Sequence, residues 1–462
     1  LDFWGLFPVI DLSPNQKKVL NMSFNKRLAW IPFSILLLIV LLSLIHPSIP
    51  QAVYAGDDLV GSDIAWMICA SALVLIMTPG LAFFYGGMVR KKNVISTMLQ
   101  SFISMSVISI IWVVVGFSLA FGDSIGGIIG NPATYFMMDD ILAQKPWSLA
   151  PTIPLVLFCF YQLKFAIITP ALITGAFAER IRFSSYVLFI ILWSLLIYSP
   201  LAHITWHPEG LFFGLGVLDF AGGTVVHMSA GWAALAAALF LRRRSEATGL
   251  EPARITYVML GTGLLWFGWL GFNAGSAMGA NSLAATAMAT TTAASAAAAF
   301  SWIIFESIRG RKPSAMGACI GAVVGLVAIT PAAGFVSIPH ALTIGIVASI
   351  VSNLVVEWRS RTTLDDTLDV FPCHGVGGMV GMILTGVFAS QAINPANTTG
   401  NGLFFGETKL FFIHLLALIA VSIFAFFGTY ILLRITNAIS PLRVHDEEEF
   451  QGLDLSQHGE KL

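Results

Sequence analysis

Apolar residues run along this chain in long blocks, each bounded by a short polar or charged segment. After Gly56, eleven blocks are long enough to cross the roughly 30 Å hydrocarbon core of a bilayer as helices. They cover approximately 62–89, 95–121, 149–178, 183–205, 220–241, 255–276, 283–305, 315–332, 339–356, 371–390 and 405–433. The pattern predicts an all-α polytopic membrane protein with eleven transmembrane helices. Eleven is odd, so the two ends of the mature chain fall on opposite sides. Basic residues collect after spans 1, 3, 5, 7 and 9: Arg90, Lys91 and Lys92; Arg180 and Arg182; Arg242, Arg243, Arg244 and Arg254; Arg309, Arg311 and Lys312; Arg359 and Arg361. The loops after spans 2, 4, 6, 8 and 10 carry only Lys145 and Lys409. Lysine and arginine are retained in cytoplasmic loops. The expected arrangement is therefore a multi-pass protein of the cell (inner) membrane, with the mature N-terminus outside and the C-terminus cytoplasmic.

Composition agrees with a lipid solvent. Hydrophobic residues make up 56% of the 462 and charged residues 11%, with mean hydropathy +0.82. Soluble domains carry about twice that share of charge. Lys+Arg 24 against Asp+Glu 25 leaves a net charge of -1, so there is no general basic field for nucleic acid. Cys69, Cys159, Cys319 and Cys373 fall in or beside apolar stretches without CxxC spacing, which excludes a disulfide scaffold or a zinc ribbon.

The chain divides unevenly. Residues 1–21 read as an upstream extension foreign to the protein. From Met22, basic Lys26 and Arg27 precede an apolar run from Ile35 to Ile45 and the small-residue segment Val53-Tyr54-Ala55. This is the order of a secretory signal peptide, assigned to 22–55, with an additional N-terminal span as the alternative. Residues 56–437 form the membrane domain and 438–462 a cytoplasmic tail. Eleven spans divide as a five-plus-five inverted repeat and one long C-terminal helix, and such repeats place a transport path at their interface. Ile168-Thr169-Pro170-Ala171 in span 3 is echoed by Ile329-Thr330-Pro331-Ala332 in span 8. The Ala, Thr and Ser of span 7 suit close helix packing in lipid.

Ionisable groups at membrane depth are costly, and each is a functional candidate. Asp219 stands just before span 5, where a carboxylate either caps the helix or acts on substrate. His227 lies eight residues further on, roughly 12 Å down the helix axis. His374 sits in Pro372-Cys373-His374-Gly375. Both histidines are followed by small residues that leave room, and a neutral imidazole both donates and accepts a proton. Interhelical hydrogen bonding is the plainer use of each. A metal site would need a third ligand, and no HExxH motif supports one. Tyr161 and Phe165 share a face of span 3, Trp206 ends span 4, and span 6 carries Trp266, Trp269 and Phe272 before Gly275 and Ser276. Such aromatics anchor helices at the interface, or else converge on a pore mouth and hold a small cation.

The run Asp219-Phe220-Ala221-Gly222-Gly223-Thr224-Val225-Val226-His227 resembles the signature of the ammonium transporter (Amt/Rh) family. Phe84-Tyr85-Gly86-Gly87, Gly175-Ala176-Phe177-Ala178-Glu179-Arg180, the segment Gly268 to Ser276 and Asp369-Val370-Phe371-Pro372-Cys373-His374-Gly375 match it too. So do Leu442-Arg443-Val444, Gly452-Leu453-Asp454 and His458-Gly459-Glu460, so the resemblance covers about 57–462. It implies a homotrimer without cofactor, one conduction path in each subunit, and ammonium or ammonia as substrate. Trp206, Tyr161 and Ser276 resemble the outer recruitment site, and Ser276 favours the Amt branch over the Rh branch. Phe165 and Phe272 resemble the gate, His227 and His374 the paired imidazoles of the pore. Asp219 resembles the carboxylate near the entrance, with Trp269 and Thr224 beside the pore. The tail resembles a regulatory segment that works with a PII-type nitrogen regulator at the cytoplasmic face.

The chemistry fits that resemblance. Ammonium is about as large as potassium, so size discriminates poorly. Taking an ion into an apolar pore is so costly that a titratable group neutralises instead. Ammonium loses a proton under desolvation and potassium has none to lose. Lys164, beside Phe165, is expected to point away from the path, since adjacent helix residues diverge by about 100°. His374 follows Asp369 so closely that the segment 362–373 must dip inward. An ammonium sensor signalling through the tail is the rival reading. An intramembrane enzyme lacks a metal or nucleophile motif.

Overall fold

A computed structural model of the chain describes residues 26–45, 52–245 and 251–462. The expected upstream extension, 1–21, lies outside them. Lys26–Ile45 is a helix whose apolar side chains from Phe33 to Leu44 are largely exposed. The body is built from eleven helices, α1 to α11: Gly61–Met88, Lys91–Phe121, Leu155–Phe177, 183–206, Gly223–Leu241, Ile255–Ala277, Ser282–Ile308, Ala315–Ile329, Ile338–Ser360, Phe371–Phe388 and Lys409–Ile439. All but α8 are long and apolar enough to cross a bilayer unaided. Helices suit this solvent because every backbone group finds its partner inside the segment. The protein is thus an all-α multi-pass membrane protein.

α8 departs from the expected 315–332. It stops at Ile329 because Pro331 lacks an N–H and its ring obstructs a continuing helix. Thr330 to Phe335 then run as turns. The carbonyl of Pro331 accepts the Phe220 N–H at 3.2 Å, so the break in α8 supports the chain leading into α5. The echoed Thr169-Pro170 lies inside an unbroken α3.

Elements in equivalent places of the two five-helix halves pack on each other. α1 and α6 run antiparallel in close contact: Gly87 meets Arg254 and Val258, Gly80 meets Gly261 and Leu265, and Gly268 meets Leu73 and Met77. Small residues let two backbones approach this closely in lipid. α5 and α10 cross where a Cβ on Gly231 would overlap the backbone of Gly375. Both open on π-helical turns, Gly223–Met228 and Phe371–Val376, and each turn carries a histidine.

The tail folds back on one end of the bundle through two short helices, α12 (Asp446–Gln451) and α13 (Leu453–His458). Before them the chain pairs with the loop after α3: the Arg182 N–H donates to Leu442 and the Val444 N–H to Arg180, at 2.7 and 3.1 Å. α13 docks on the start of α2. Asn93 accepts the Leu453 N–H at 2.8 Å, and Asp454 accepts the N–H groups of Ile95 and Ser96. Beneath this tail face lies a buried ionic cluster. Glu179 meets Arg90 and Arg244 at 2.8 Å each, and Arg244 bonds Asp365 at 2.9 Å. Burial works to raise the Glu179 carboxyl; the Arg244 and Arg90 guanidiniums overcome it and hold it below its ordinary value.

Candidate functional site

At the face opposite the tail, a cavity of about 390 Å³ opens into the bundle. Phe158, Gln162 and Phe165 reach it from one stripe of α3, at the i, i+4, i+7 spacing of a helix face. The last turn of α4 brings Thr205 and Trp206, the approach to α5 brings Asp219, and the end of α6 brings Ser276. Trp206 is held by its indole N–H, which donates to the Asp219 carbonyl at 3.1 Å. Its ring stands edge-on to Phe165 at 6.0 Å. Tyr161 lies behind this lining and is fully buried. Its phenol lies 3.1 and 3.0 Å from the carbonyls of Gly271 and Phe272 and 3.3 Å from the Ser276 hydroxyl, which fixes the end of α6 against α3.

The floor of this vestibule is a pair of rings. Phe165 and Phe272 overlap with centroids 4.3 Å apart and planes tilted by 36°, and both are buried. Below them is a void of about 10 Å³, bounded by His227, His374, Trp269 and apolar side chains including Ile168, Leu172 and Leu265. That is space for about one water-sized molecule. The imidazoles of His227 and His374 meet Nδ1 to Nδ1 at 3.3 Å, with ring centroids 5.4 Å apart. Trp269 stacks on His227 at 5.1 Å and anchors its own N–H on the Thr330 hydroxyl at 3.0 Å. Nε2 of His227 is buried and has no hydrogen-bond partner. At 3.3 Å two imidazolium charges would repel, so the pair is suited to a single shared proton.

Local geometry explains how two residues 147 positions apart meet. Each histidine sits in a π turn, which widens the helix where α5 and α10 cross. The segment before α10 does dip inward. Asp365 and Asp366 are buried, the Leu368 N–H donates to Gly175 at 3.1 Å, and Asp366 accepts the Phe371 N–H at 2.7 Å. Asp219 acts as a cap. Its carboxylate accepts from the N–H groups of Gly222, Gly223 and Thr224 at 2.9, 2.5 and 2.8 Å, and from the Thr224 hydroxyl. Gly222, at φ +119°, makes the turn that brings those groups round.

On the tail side lies a second cavity of about 180 Å³, lined by Arg90, Glu179, Arg244, Glu251, Thr367 and Asp369 among others. Burial pushes the Asp369 carboxyl up to about 7, against the pull of Arg359 at 2.6 Å. Lys164 is not in the vestibule lining; its ammonium stands 5.9 Å from the Phe160 ring on another face of α3. Two polar lining residues, Gln162 and Thr205, are not singled out by the sequence pattern. The signal for Gln162 was its place three residues before Phe165 on the same helical face. A further histidine pair, His203 and His207, is visible in the sequence only as an i, i+4 spacing at the end of span 4. Their rings stack at 4.3 Å, and both nitrogens of His203 are engaged, by Ser124 and the Ala120 carbonyl. Among the described residues no three His, Cys, Asp or Glu side chains gather as metal ligands.

Comparison with known proteins covers nearly the whole described body. Residues 65–462 match the Ammonium Transporter Family. A putative ammonium transporter of Methanothermobacter thermautotrophicus is 46% identical over 400 residues, 86% of this chain and 97% of that protein. An ammonium transporter of Bacillus subtilis is 44% identical over 86% of this chain and 98% of its own. The crystal structure of Saccharomyces cerevisiae Mep2 superposes with a TM-score of 0.80 at 36% identity, covering 85% of this chain and 89% of that one. A solved structure described as a Sensor Amt Protein gives 0.77 at 28% identity, covering 86% and 98%.

Proposed function

The chain belongs to the ammonium transporter family, and we propose that it carries ammonium-derived nitrogen through the shaft between the aromatic vestibule and the tail face. The observation that carries this reading is the imidazole pair: His227 and His374 joined at 3.3 Å, with an unpartnered Nε2 beside a void of one-molecule size. Ammonium is drawn to the vestibule by the faces of Trp206 and Phe165 and by the Ser276 hydroxyl, which Tyr161 holds in place. Passing the Phe165–Phe272 gate strips its water, and the cation gives up a proton to the imidazole pair beneath it. Ammonia then hydrogen-bonds the imidazoles, which relay the proton separately. Thr224 and Trp269 brace the pore through the Asp219 cap and the stack on His227. Asp219 thus serves the entrance chiefly by holding α5.

In this reading the tail face is cytoplasmic, the mature N-terminus is outside, and the protein is a homotrimer of the cell membrane with residues 22–55 as its signal peptide. The docked tail is where a PII-type regulator acts. Its contacts with the loops after α1, α3 and α5 connect it to the inner cavity. The likeness to a protein described as a sensor, together with this tail, supports a second reading in which binding is signalled with little flux.

Ammonium-evoked current in proteoliposomes, recorded beside internal pH, separates these. A saturating current that potassium does not evoke is expected. Alkalinisation without current would restrict conduction to neutral ammonia, and silence in both assays would leave the sensor reading. Lys164→Met is expected to change uptake by less than about twofold, since its side chain stands off the lining. A large gain in ammonium uptake would put the lysine in the cation's path.

A further inference from the structure

The vestibule leaves two buried polar atoms without partners. Gln162 is 5% exposed and Thr205 2%, both line the cavity, and neither Oε1 of Gln162 nor Oγ1 of Thr205 has a hydrogen-bond partner. Buried polar atoms are nearly always bonded, so each such exception calls for a cause. Oε1 of an amide is an acceptor only, and a hydroxyl also accepts. Both therefore suit a ligand rich in donors.

Ammonium has four N–H bonds. The aromatic faces of Trp206 and Phe165 attract its charge but accept N–H bonds weakly. The Ser276 hydroxyl donates its own proton to the Phe272 carbonyl at 2.9 Å, leaving its oxygen to accept. The Asp219 carbonyl is occupied by the Trp206 indole, and the Asp219 carboxylate by the amides of α5. These groups supply fewer acceptors than the cation has donors. We infer that Gln162 and Thr205 are specificity-determining residues of the vestibule, accepting the ammonium N–H bonds that Ser276 leaves over. Both are placed for it in the lining. Gln162 projects from the same face of α3 as Phe165, and Thr205 immediately precedes Trp206.

This inference rests on the proposed recruitment of ammonium, and it makes a distinction that recruitment by rings alone does not. A singly methylated ammonium carries three N–H bonds and a methyl group, which it can turn towards a position that has lost its acceptor; ammonium, with N–H bonds in all four directions, cannot. Removing that acceptor should penalise ammonium more than methylammonium.

The test is half-saturation of current in proteoliposomes for wild type, Gln162→Leu, Gln162→Glu and Thr205→Val, with ammonium and with methylammonium. Gln162→Leu is expected to raise half-saturation for ammonium about tenfold, the scale of a lost charge-assisted hydrogen bond, with maximal current within about twofold. The same change should raise that for methylammonium less, so the preference for ammonium falls. Thr205→Val acts in the same sense and more weakly. Gln162→Glu, a stronger acceptor of similar shape, should lower half-saturation for ammonium, which a mere loss of packing would not do. Unchanged half-saturation in Gln162→Leu, or an equal shift for both cations, would overturn the assignment while leaving ammonium transport intact. A silent wild type would instead remove the transport reading on which it rests.

Discussion

Replacing His227 by alanine is expected to lower the ammonium-evoked current at least about tenfold, with the protein still folded and assembled. The imidazole is one half of a pair joined at 3.3 Å beside a void lined mostly by apolar side chains, and Trp269 stacks on it. Without it, His374 loses its partner, and a small polar molecule below the gate meets mostly hydrocarbon. A hydrogen bond lost in such a place costs about 1–3 kcal/mol, and each 1.4 kcal/mol is about a factor of ten. The relay of a proton is lost as well, because one imidazole has no second imidazole to pass it to. Current and internal pH should therefore separate in this variant: current falls steeply, and any remaining alkalinisation reports neutral ammonia. An unchanged current in His227→Ala would exclude the imidazole pair from the route of charge.

The second large effect is on stability. Asp219→Ala should lower the thermal midpoint of the detergent-solubilised protein sharply, equivalent to roughly 3–5 kcal/mol. An ordinary helix cap is worth about 0.5–2 kcal/mol. Here one buried carboxylate serves the amides of Gly222, Gly223, Thr224 and Val225 and a hydroxyl, at the start of the helix that carries His227. Thr224→Val removes only one of those donors and should cost about 1 kcal/mol. The pair of variants decides between two uses of Asp219. A folded, fully stable Asp219→Ala protein with lost flux would mean that the carboxylate acts on the cation and that α5 stands without it.

Much of this could be read from the sequence because lipid imposes simple demands. Blocks of apolar residues located α1 to α11 within a few residues at most ends, though α3 begins at Leu155 and α11 runs to Ile439. The error in α8 came from hydropathy continuing through Thr330-Pro331-Ala332, where the backbone no longer follows a helix. The site was harder to read. Helical spacing put Tyr161 and Phe165 on neighbouring positions, but it did not say that the phenol would turn to α6 while Phe165 met Phe272. The two histidines stand 147 residues apart, and the π turns that present them leave no mark in a 3.6-residue period. Gln162 was missed because a single amide in an apolar helix passes for a packing contact until its surroundings are known.

The docking of α13 on the start of α2 has a consequence for how the molecule is made. Asn93, Ile95 and Ser96 hydrogen-bond with Leu453 and Asp454, about 360 residues later in the chain. At ribosomal rates of about 5–20 residues per second, the early half of that contact waits roughly 20–70 s for the late half. During that interval the first amides of α2 lack their final acceptor, as the open end of any helix does. Completion of the C-terminus is thus what seals one of the first helices to be synthesised. A chain released between the end of α11 at Ile439 and the start of α13 at Leu453 would contain every spanning helix and still leave that end unsealed, giving quality-control proteases a means to tell a finished protein from an interrupted one.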